Sequence, residues 1–439
     1  MENVVSRCEF DKDDIIDNTY RVEKRLGEGT YGSVYKVTDS RNNVFALKLL
    51  KLWEIPPQVR SMLIKRFDME YETGQIKSKY LVHSVGKGFV CGNPYILMEF
   101  CPNGDLLGYV EKYGKSSLNK LALQVLFGLR DLHKCGKIHR DLKPENVLIN
   151  DKNEAVLTDF GISGDQNKRM TERNIVGKPK SIFGTYGYMP PEQVRPPSGN
   201  ATVLPTTDIF SFGVMIYQII VNEMPFGKLE DNVDLANYCK NGANGNWNRQ
   251  KLLYSPEGEK WISVIEGCLK PDFKQRLQSV DDVIAEMTNN GLVDNAGIQQ
   301  NELISKTANE IGRGVNGVML RIMQGEQYGS TYRLNDMVNG ARKILTIGRN
   351  EFDSHNDIGI NEIDACCYVS RKHCTLEFHH GVQKWFIRDG QFDRYSPDGW
   401  KRSLNGTFIN ASQVDMWGME ISIGDIITIG EVKLRVEGY

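Results

Sequence analysis

Apolar residues recur along this chain at two spacings. Leu118, Leu121, Val125, Leu129 and Leu132 fall three or four apart, which puts them on one face of a helix. Trp261, Val264, Ile265, Cys268 and Leu269 repeat that pattern. Ser279 followed by Asp282 is a capping-box start for a last helix running through Met287. Near the N-terminus the signal is that of strands: Tyr20–Leu26, Ser33–Val37 and Val44–Leu50, with Gly, Asn and Asp turns between them. From about Thr288 to Gly314 the chain turns polar and reads as a linker, with one helical turn near Glu302–Ser305. Beyond it the period settles at two. Val318, Leu320 and Ile322 alternate with Met319, Arg321 and Met323, and Lys343–Ile347, Cys374–Phe378, Lys384–Arg388, Thr407–Ile409, Ile426–Ile429 and Val432–Val436 follow as short strands. The pattern predicts a multidomain chain: an N-terminal extension over 1–19, a mixed α+β domain over 20–290, a linker over 291–314 and an all-β sandwich over 315–439.

Composition narrows the class. Hydrophobic residues make up 40% and charged residues 25% of the 439 positions, which excludes global disorder. The net charge of −2 leaves no broad basic surface for duplex nucleic acid. Nine cysteines with no C-x-x-C pair are too sparse for a disulfide scaffold. Cys366, Cys367, His373 and Cys374 fit no tetrahedral zinc spacing and read as partly buried thiols. The most apolar run, Phe212 to Val221, is too short to cross ~30 Å of hydrocarbon, so no membrane span is expected. The polar, acidic N-terminus has no signal-peptide core, and a reduced, cytoplasmic protein is expected.

Candidate chemistry concentrates in the first domain. Gly27-Glu28-Gly29-Thr30-Tyr31-Gly32 lies between two strands rather than before a helix, so it is either a flexible hairpin or a turn that lets backbone approach phosphates. Lys48, on the third strand among apolar neighbours, can reach phosphates if an acid holds it. Glu70 is the first choice for that acid and Glu72 the second. The strongest signal is Ile138-His139-Arg140-Asp141-Leu142-Lys143-Pro144-Glu145-Asn146, followed by Thr158-Asp159-Phe160-Gly161. If Val147–Ile149 and Ala155–Leu157 form a hairpin, Asn146 faces Thr158, and Asn146 and Asp159 emerge at one end of it, close to Asp141 and Lys143. An amide and a carboxylate there suit Mg²⁺ shared with phosphates. Asp141 can accept a proton from an attacking hydroxyl, and Lys143 can offset charge on a moving phosphoryl group.

Residues 20–290 resemble the eukaryotic-type protein kinase family on these motifs together with Pro190-Pro191-Glu192, Asp208-Ile209-Phe210-Ser211-Phe212-Gly213 and Arg276. The resemblance implies a two-lobed α+β kinase fold using ATP and Mg²⁺. Gly27, Glu28, Gly29, Gly32, Val34, Ala46, Lys48, Met98, Glu99 and Cys101 would contact the nucleotide, with Met98 as gatekeeper, and Asn146 and Asp159 would hold the metal. Asp141, Lys143, Lys48 and Glu70 would be the catalytic set, and Asp208 and a Glu192–Arg276 pair would be structural. Lys143-Pro144-Glu145-Asn146 and Gly184-Thr185 resemble the Ser/Thr branch, which places Thr185 on the substrate floor. Arg140 implies regulation by a phosphate on the segment Asp159 to Glu192, with Thr171 and Ser181 as acceptors. Pro190 and Phe210 depart from the usual Ala and Trp, and no catalytic position is lost.

In the second domain Ile347-Gly348-Arg349, Ser370-Arg371-Lys372-His373 and Asn405-Gly406-Thr407 each adjoin a strand end. An Arg fork with a hydroxyl and an amide makes a phosphate cradle. These residues resemble the forkhead-associated (FHA) family over 315–439, with Asn356-Asp357-Ile358, Asp389 and Phe408-Ile409-Asn410 in further agreement. The resemblance implies that Arg349 and Ser370 bind the phosphate of phosphothreonine, Arg371 adds charge, Asn405 binds peptide backbone and His373 braces the loop. Two loops are long, Glu351–Val369 and Gln391–Leu404, and Leu404 stands where a polar residue often assists binding.

The expected partners are protein substrates and phosphothreonine-containing proteins, with transient self-association through autophosphorylation. Two rivals stand beside the kinase reading. One is a catalytically weak kinase fold acting as a phospho-dependent scaffold, which the presence of Lys48, Asp141 and Asp159 argues against. The other is a kinase whose β domain serves only assembly.

Overall fold

The computed structural model describes residues 5–29, 31–135, 137–160, 186–194 and 205–294, and then 317–324, 327, 330–338, 343–350, 355–360, 368–379, 381–410 and 412–439. The first lobe is a six-stranded antiparallel sheet built from β1 (Ile15–Ile16), β2 (Tyr20–Glu28), β3 (Gly32–Thr38), β4 (Val44–Leu50), β5 (Ser84–Val90) and β6 (Asn93–Glu99) in the order β1-β2-β3-β4-β6-β5. Alternation along β4 decides what faces the cleft. Leu47 and Leu49 pack with Val22, Tyr35 and Val37 on one face. Ala46 and Leu50 pack on the other, with Leu63 and Phe67 of helix α1 (Pro57–Thr73), so Lys48 shares the α1 side. The N-terminal extension is more engaged than its sequence suggests. Ile16 pairs with Tyr20 and is fully buried. A two-residue strand carries no readable period.

The second lobe is helical. It includes α2 (Leu106–Tyr113), α3 (Leu118–Lys134), α4 (Pro191–Val194), α5 (Pro205–Val221), α6 (Gly258–Cys268) and α7 (Val280–Asn289). The apolar run Phe212–Val221 lies in α5, which is buried along nearly its whole length in the centre of the lobe, as a helix apolar all round must be. Ser279 and Asp282 cap α7 reciprocally. That helix runs past Thr288, and Leu292 folds back with its amide on the Met287 carbonyl at 2.9 Å and its side chain in the lobe's core. The polar stretch is therefore still part of this lobe at its start. The rest of the linker, 295–314, lies outside the described residues. The hairpin of β7 (Val147–Ile149) and β8 (Ala155–Leu157) forms with Val147 opposite Leu157 and Ile149 opposite Ala155.

The C-terminal domain is a sandwich of two sheets. One is ordered β10-β9-β21-β20-β17-β18 and the other β12-β11-β13-β14-β19. Their strands are β9 (Val318–Gln324), β10 (Thr331–Arg333), β11 (Ile344–Arg349), β12 (Ile358–Ile360), β13 (Cys374–His379), β14 (Lys384–Asp389), β17 (Thr407–Ile409), β18 (Ser412–Val414), β19 (Met419–Ile421), β20 (Ile426–Ile429) and β21 (Val432–Gly438). Leu320, Ile322, Leu345, Ile347, Leu376, Ile387, Ile427 and Leu434 fill the space between the sheets. The expected long loops are partly ordered by pairing. β12, within 351–369, runs parallel to β11, and β15 (Gln391–Phe392) pairs with β16 (Trp400–Lys401) within 391–404. Among the described residues no helix is long and apolar enough to cross a membrane.

Candidate functional site

Three segments converge between the lobes. Lys48 of β4 reaches Glu70 of α1 at 2.5 Å and also pairs with Asp159, which follows the β7–β8 hairpin. Glu72 is exposed, and two residues along a helix place it away from the Glu70 face. Burial pulls the Lys48 ammonium down, but Asp159 and then Glu70 outweigh it, and its pKa is raised. Lys48 in turn holds Asp159 below the usual carboxylate range. Both groups are thus charged at neutral pH. Lys143 lies 3.3 Å from Asp141, and the Asn146 amide donates to the Asp141 carbonyl at 2.7 Å and to its carboxylate at 3.2 Å. The Thr158 amide donates to the Asn146 carbonyl at 3.0 Å, so hairpin register sets Asn146 and Asp159 side by side. With its nitrogen spent on Asp141, Asn146 keeps its oxygen as a donor atom. One amide oxygen and one ionised carboxylate fit a hard cation whose other ligands are phosphates and water, so the donor set suits Mg²⁺.

The cleft wall is set by register. Val34 stands opposite Lys48, and Ala46 opposite Met98, with Glu99 closing β6 and Cys101 just beyond it. Gly27 and Glu28 pair with Val34 and Ser33, and the Gly29 amide donates to the Gly32 carbonyl at 2.8 Å. A Cβ on Gly32 would lie 2.3 Å from the Leu49 carbonyl, so only glycine fits that turn beside β4. The Glu28 carboxylate accepts from Lys51 at 2.8 Å.

Asp208 organises the catalytic loop from beneath. Its carboxylate accepts from the His139 and Arg140 amides, each at 2.8 Å, and meets His133 Nε2 at 2.8 Å. Arg140 holds a left-handed φ of 65°, a strained conformation that these bonds secure. Sequence motifs carry no sign of His133, which a helix periodicity absorbs as a routine position. Further along the lobe, Arg276 forks onto both Glu192 oxygens at 2.8 and 3.1 Å and also donates to the Thr206 carbonyl, with the two residues 2% and 7% exposed. Arg276→Ala leaves a carboxylate buried without its cation. A loss of about 3–5 kcal/mol in unfolding free energy is expected, measurable by denaturant titration.

The C-terminal domain gathers its polar loops at one end. Arg349 closes β11, and its amide donates to the Ser370 carbonyl at 3.0 Å. A Cβ on Gly348 would sit 2.1 Å from the Arg371 carbonyl, which is why glycine precedes this arginine. Ser370 Oγ accepts from the Leu404 amide at 2.9 Å, and Asn405 donates to the Tyr368 carbonyl at 2.6 Å. Arg371 is exposed, and Leu404 is 89% exposed at the rim. His373 is fully buried. Its Nδ1 accepts from the Ser370 amide at 3.0 Å and its Nε2–H donates to the Gly406 carbonyl at 3.1 Å, tying two of the three loops together. Gln391, unmarked in sequence, ties the strand ends with bonds to the Ile347 carbonyl and Asn356.

Burial holds the His373 pKa below the ordinary 6.5, against a smaller pull from the Gly406 carbonyl. The unfolded imidazole takes up a proton near 6.5 while the folded one stays neutral. Sandwich stability is therefore full above about pH 6.5 and declines as pH falls through that value toward the lower folded pKa. Thermal unfolding between about pH 7.5 and 5 should show this slope, and His373→Gln should flatten it.

Gly161, Thr171, Ser181 and Thr185, with Cys366 and Cys367, lie outside the described residues.

A protein kinase domain family matches residues 20–288, and the FHA domain family matches residues 345–430. Mitogen-activated protein kinase kinase 9 of Arabidopsis thaliana is 30% identical over 62% of this chain and 82% of its own length. Serine/threonine-protein kinase PknL of Mycobacterium bovis is 30% identical over 48% of this chain, which spans about half of that relative at 51%. A solved structure of Rad53 residues 1–466 with AMP-PNP aligns at 21% identity and a TM-score of 0.47, covering 61% of this chain and 65% of that one. The kinase match alone takes in more than half of the chain and contains the whole Lys48–Glu70–Asp141–Asp159 constellation. The chain belongs to the protein kinase family, as a Ser/Thr protein kinase using ATP and Mg²⁺, and it carries an FHA domain after the catalytic one.

Proposed function

We propose that this chain transfers the γ-phosphoryl group of ATP to Ser and Thr hydroxyls of protein substrates. We further propose that its FHA module binds phosphothreonine, recruiting primed substrates or docking on the chain's own phosphorylated sites. Lys48, steadied by Glu70, anchors the phosphates. Asn146 and Asp159 hold Mg²⁺, which supplies charge neutralisation on the phosphate oxygens. Asp141 orients the attacking hydroxyl and accepts its proton, while Lys143 offsets charge on the phosphoryl oxygens. Thr185 shapes the substrate floor, and a phosphate on Thr171 or Ser181 orders the segment before Glu192 through Arg140. Arg349 and Ser370 take the phosphate of the ligand, with Arg371 adding charge and Asn405 contacting peptide backbone. Local concentration follows from tethering reader and catalyst on one chain. Sparse free cysteines support a cytoplasmic setting.

The observation that carries this reading is the Lys48–Glu70 pair at 2.5 Å meeting Asp159 beside the Asp141–Lys143 pair. A fold serving only as a scaffold has no need of that alignment. The test is incubation of the purified chain with ATP and Mg²⁺, read by intact mass and phosphosite mapping. Phosphate on Ser or Thr supports the reading. Nucleotide binding without any transfer, to itself or to a generic substrate, overturns it in favour of the scaffold.

A further inference from the structure

Two cysteines outside the cleft adjoin one structural seam. The segment before β1 lies along the edge of the first lobe, where the Ser6 amide donates to the Cys91 carbonyl at 3.0 Å. Cys8 is buried and Cys91 is exposed, and both are free thiols. The Cys8 thiol donates to the carbonyl of Val90, the residue next to Cys91, at 3.8 Å. Asn93, fully buried, organises the seam. Its amide nitrogen donates to the Ser6 and Cys91 carbonyls at 2.9 Å each and reaches Cys8 Sγ at 3.5 Å. Its oxygen accepts from the Leu52 amide at 3.0 Å, next to Lys51, whose ammonium holds Glu28 of the glycine-rich turn.

The backbone at Cys91 is unusual. Cys91 and Gly92 form the two-residue turn between β5 and β6, with φ of 51° and 76°. Turns with two positive φ values favour Asn, Asp or Gly at the first position, and a cysteine there is strained. An observed strain of this kind points to a use for the side chain.

We propose that Cys8 and Cys91 are a reversible oxidation site, closing to an intramolecular disulfide that clamps the N-terminal segment to the sheet. Cys91 is the thiol a hydroperoxide can reach. Its thiolate attacks a peroxide oxygen, forming a sulfenic acid and releasing hydroxide, or alkoxide from an organic peroxide. The Cys8 thiolate then attacks the Cys91 sulfur, forming the S–S bond and expelling hydroxide, which leaves as water. The two thiols lose two electrons and two protons in all, and the peroxide gains them. Burial, followed by Cys91 itself, pushes the Cys8 thiol up to about 12, so Cys8 is slow toward external oxidants and acts on its neighbour.

The test treats the full chain with hydrogen peroxide, alkylates the remaining thiols and maps peptides without reduction. The expected result is a cross-linked peptide joining Cys8 and Cys91, absent from Cys8→Ser and Cys91→Ser and lost on adding reductant. Oxidised wild-type chain should also resist limited proteolysis before Asp14 by at least about tenfold, less than the roughly 30-fold that a typical cross-link of ~2 kcal/mol corresponds to. Cys91 oxidised or unreacted while Cys8 remains open to alkylation after mild denaturation overturns the proposal. So does a cross-link that leaves the proteolysis rate unchanged, since the clamp would then hold nothing.

Discussion

Asp141→Asn is expected to lower phosphoryl transfer by about 10²–10⁴-fold, the range that a positioned general base contributes. Asparagine keeps the size of the side chain and can still accept the bond from Asn146, which the wild-type carboxylate receives at 3.2 Å. What it loses is the capacity to take a proton and the charge that Lys143 faces at 3.3 Å. Lys48, Glu70 and Asp159 are untouched, so nucleotide affinity should stay near wild type. Phosphate incorporation measured beside fluorescent-nucleotide binding separates the two effects. Wild-type incorporation by Asp141→Asn would remove Asp141 from the role proposed for it. Equal loss of binding and transfer would make it a structural residue.

Arg349→Ala is expected to weaken phosphothreonine-peptide binding to the FHA module by about 10- to 100-fold, from the ~1.5–3 kcal/mol carried by a hydrogen bond to a charged group. Arg349 closes β11, and its amide bond to the Ser370 carbonyl is a backbone bond that the substitution keeps. Fluorescence anisotropy on phosphothreonine and unphosphorylated peptides measures the loss, with thermal unfolding as the control. Unchanged affinity with an intact sandwich would support the assembly reading of this domain instead. Because the expected loss is electrostatic, the wild-type affinity should also fall with added salt more steeply than the variant's.

Much of the catalytic arrangement was legible because it is local. The hairpin from Val147 to Leu157 has a readable register, and that register alone sets Asn146 against Thr158 with Asp159 next in line. The Ser279–Asp282 cap and the helix from Leu118 are likewise determined within one or two turns. Short elements escaped. β12, β15 and β16 are two or three residues long and take their form from the strands they meet, so their own residues show no period. The early end placed on the last helix has the same origin. Polar residues after Met287 look like linker, but Leu292 finds a pocket that no sequence window reveals. His133 and Gln391 also escaped, since each acts through long-range bonds, to Asp208 in one case and to the Ile347 carbonyl and Asn356 in the other.

The sequence by itself determined the chain's two-part organisation, the order of its motifs and the kinds of group each part offers: carboxylates, an amide and lysines in the first, an arginine with small hydrogen-bonding groups in the second. These follow from residue type and short spacing. Tertiary structure alone decided which of Glu70 and Glu72 meets Lys48, because the rotation of α1 against β4 is set by Leu63 and Phe67 packing on Ala46 and Leu50. It also decided that Asp208 supports the catalytic loop across a gap of 69 residues, that His373 joins two loops 33 residues apart, and that Cys8 meets Val90 beside the turn that carries Cys91. Contacts of that separation depend on how whole elements pack, and packing is a property of the assembled core rather than of any segment that enters it.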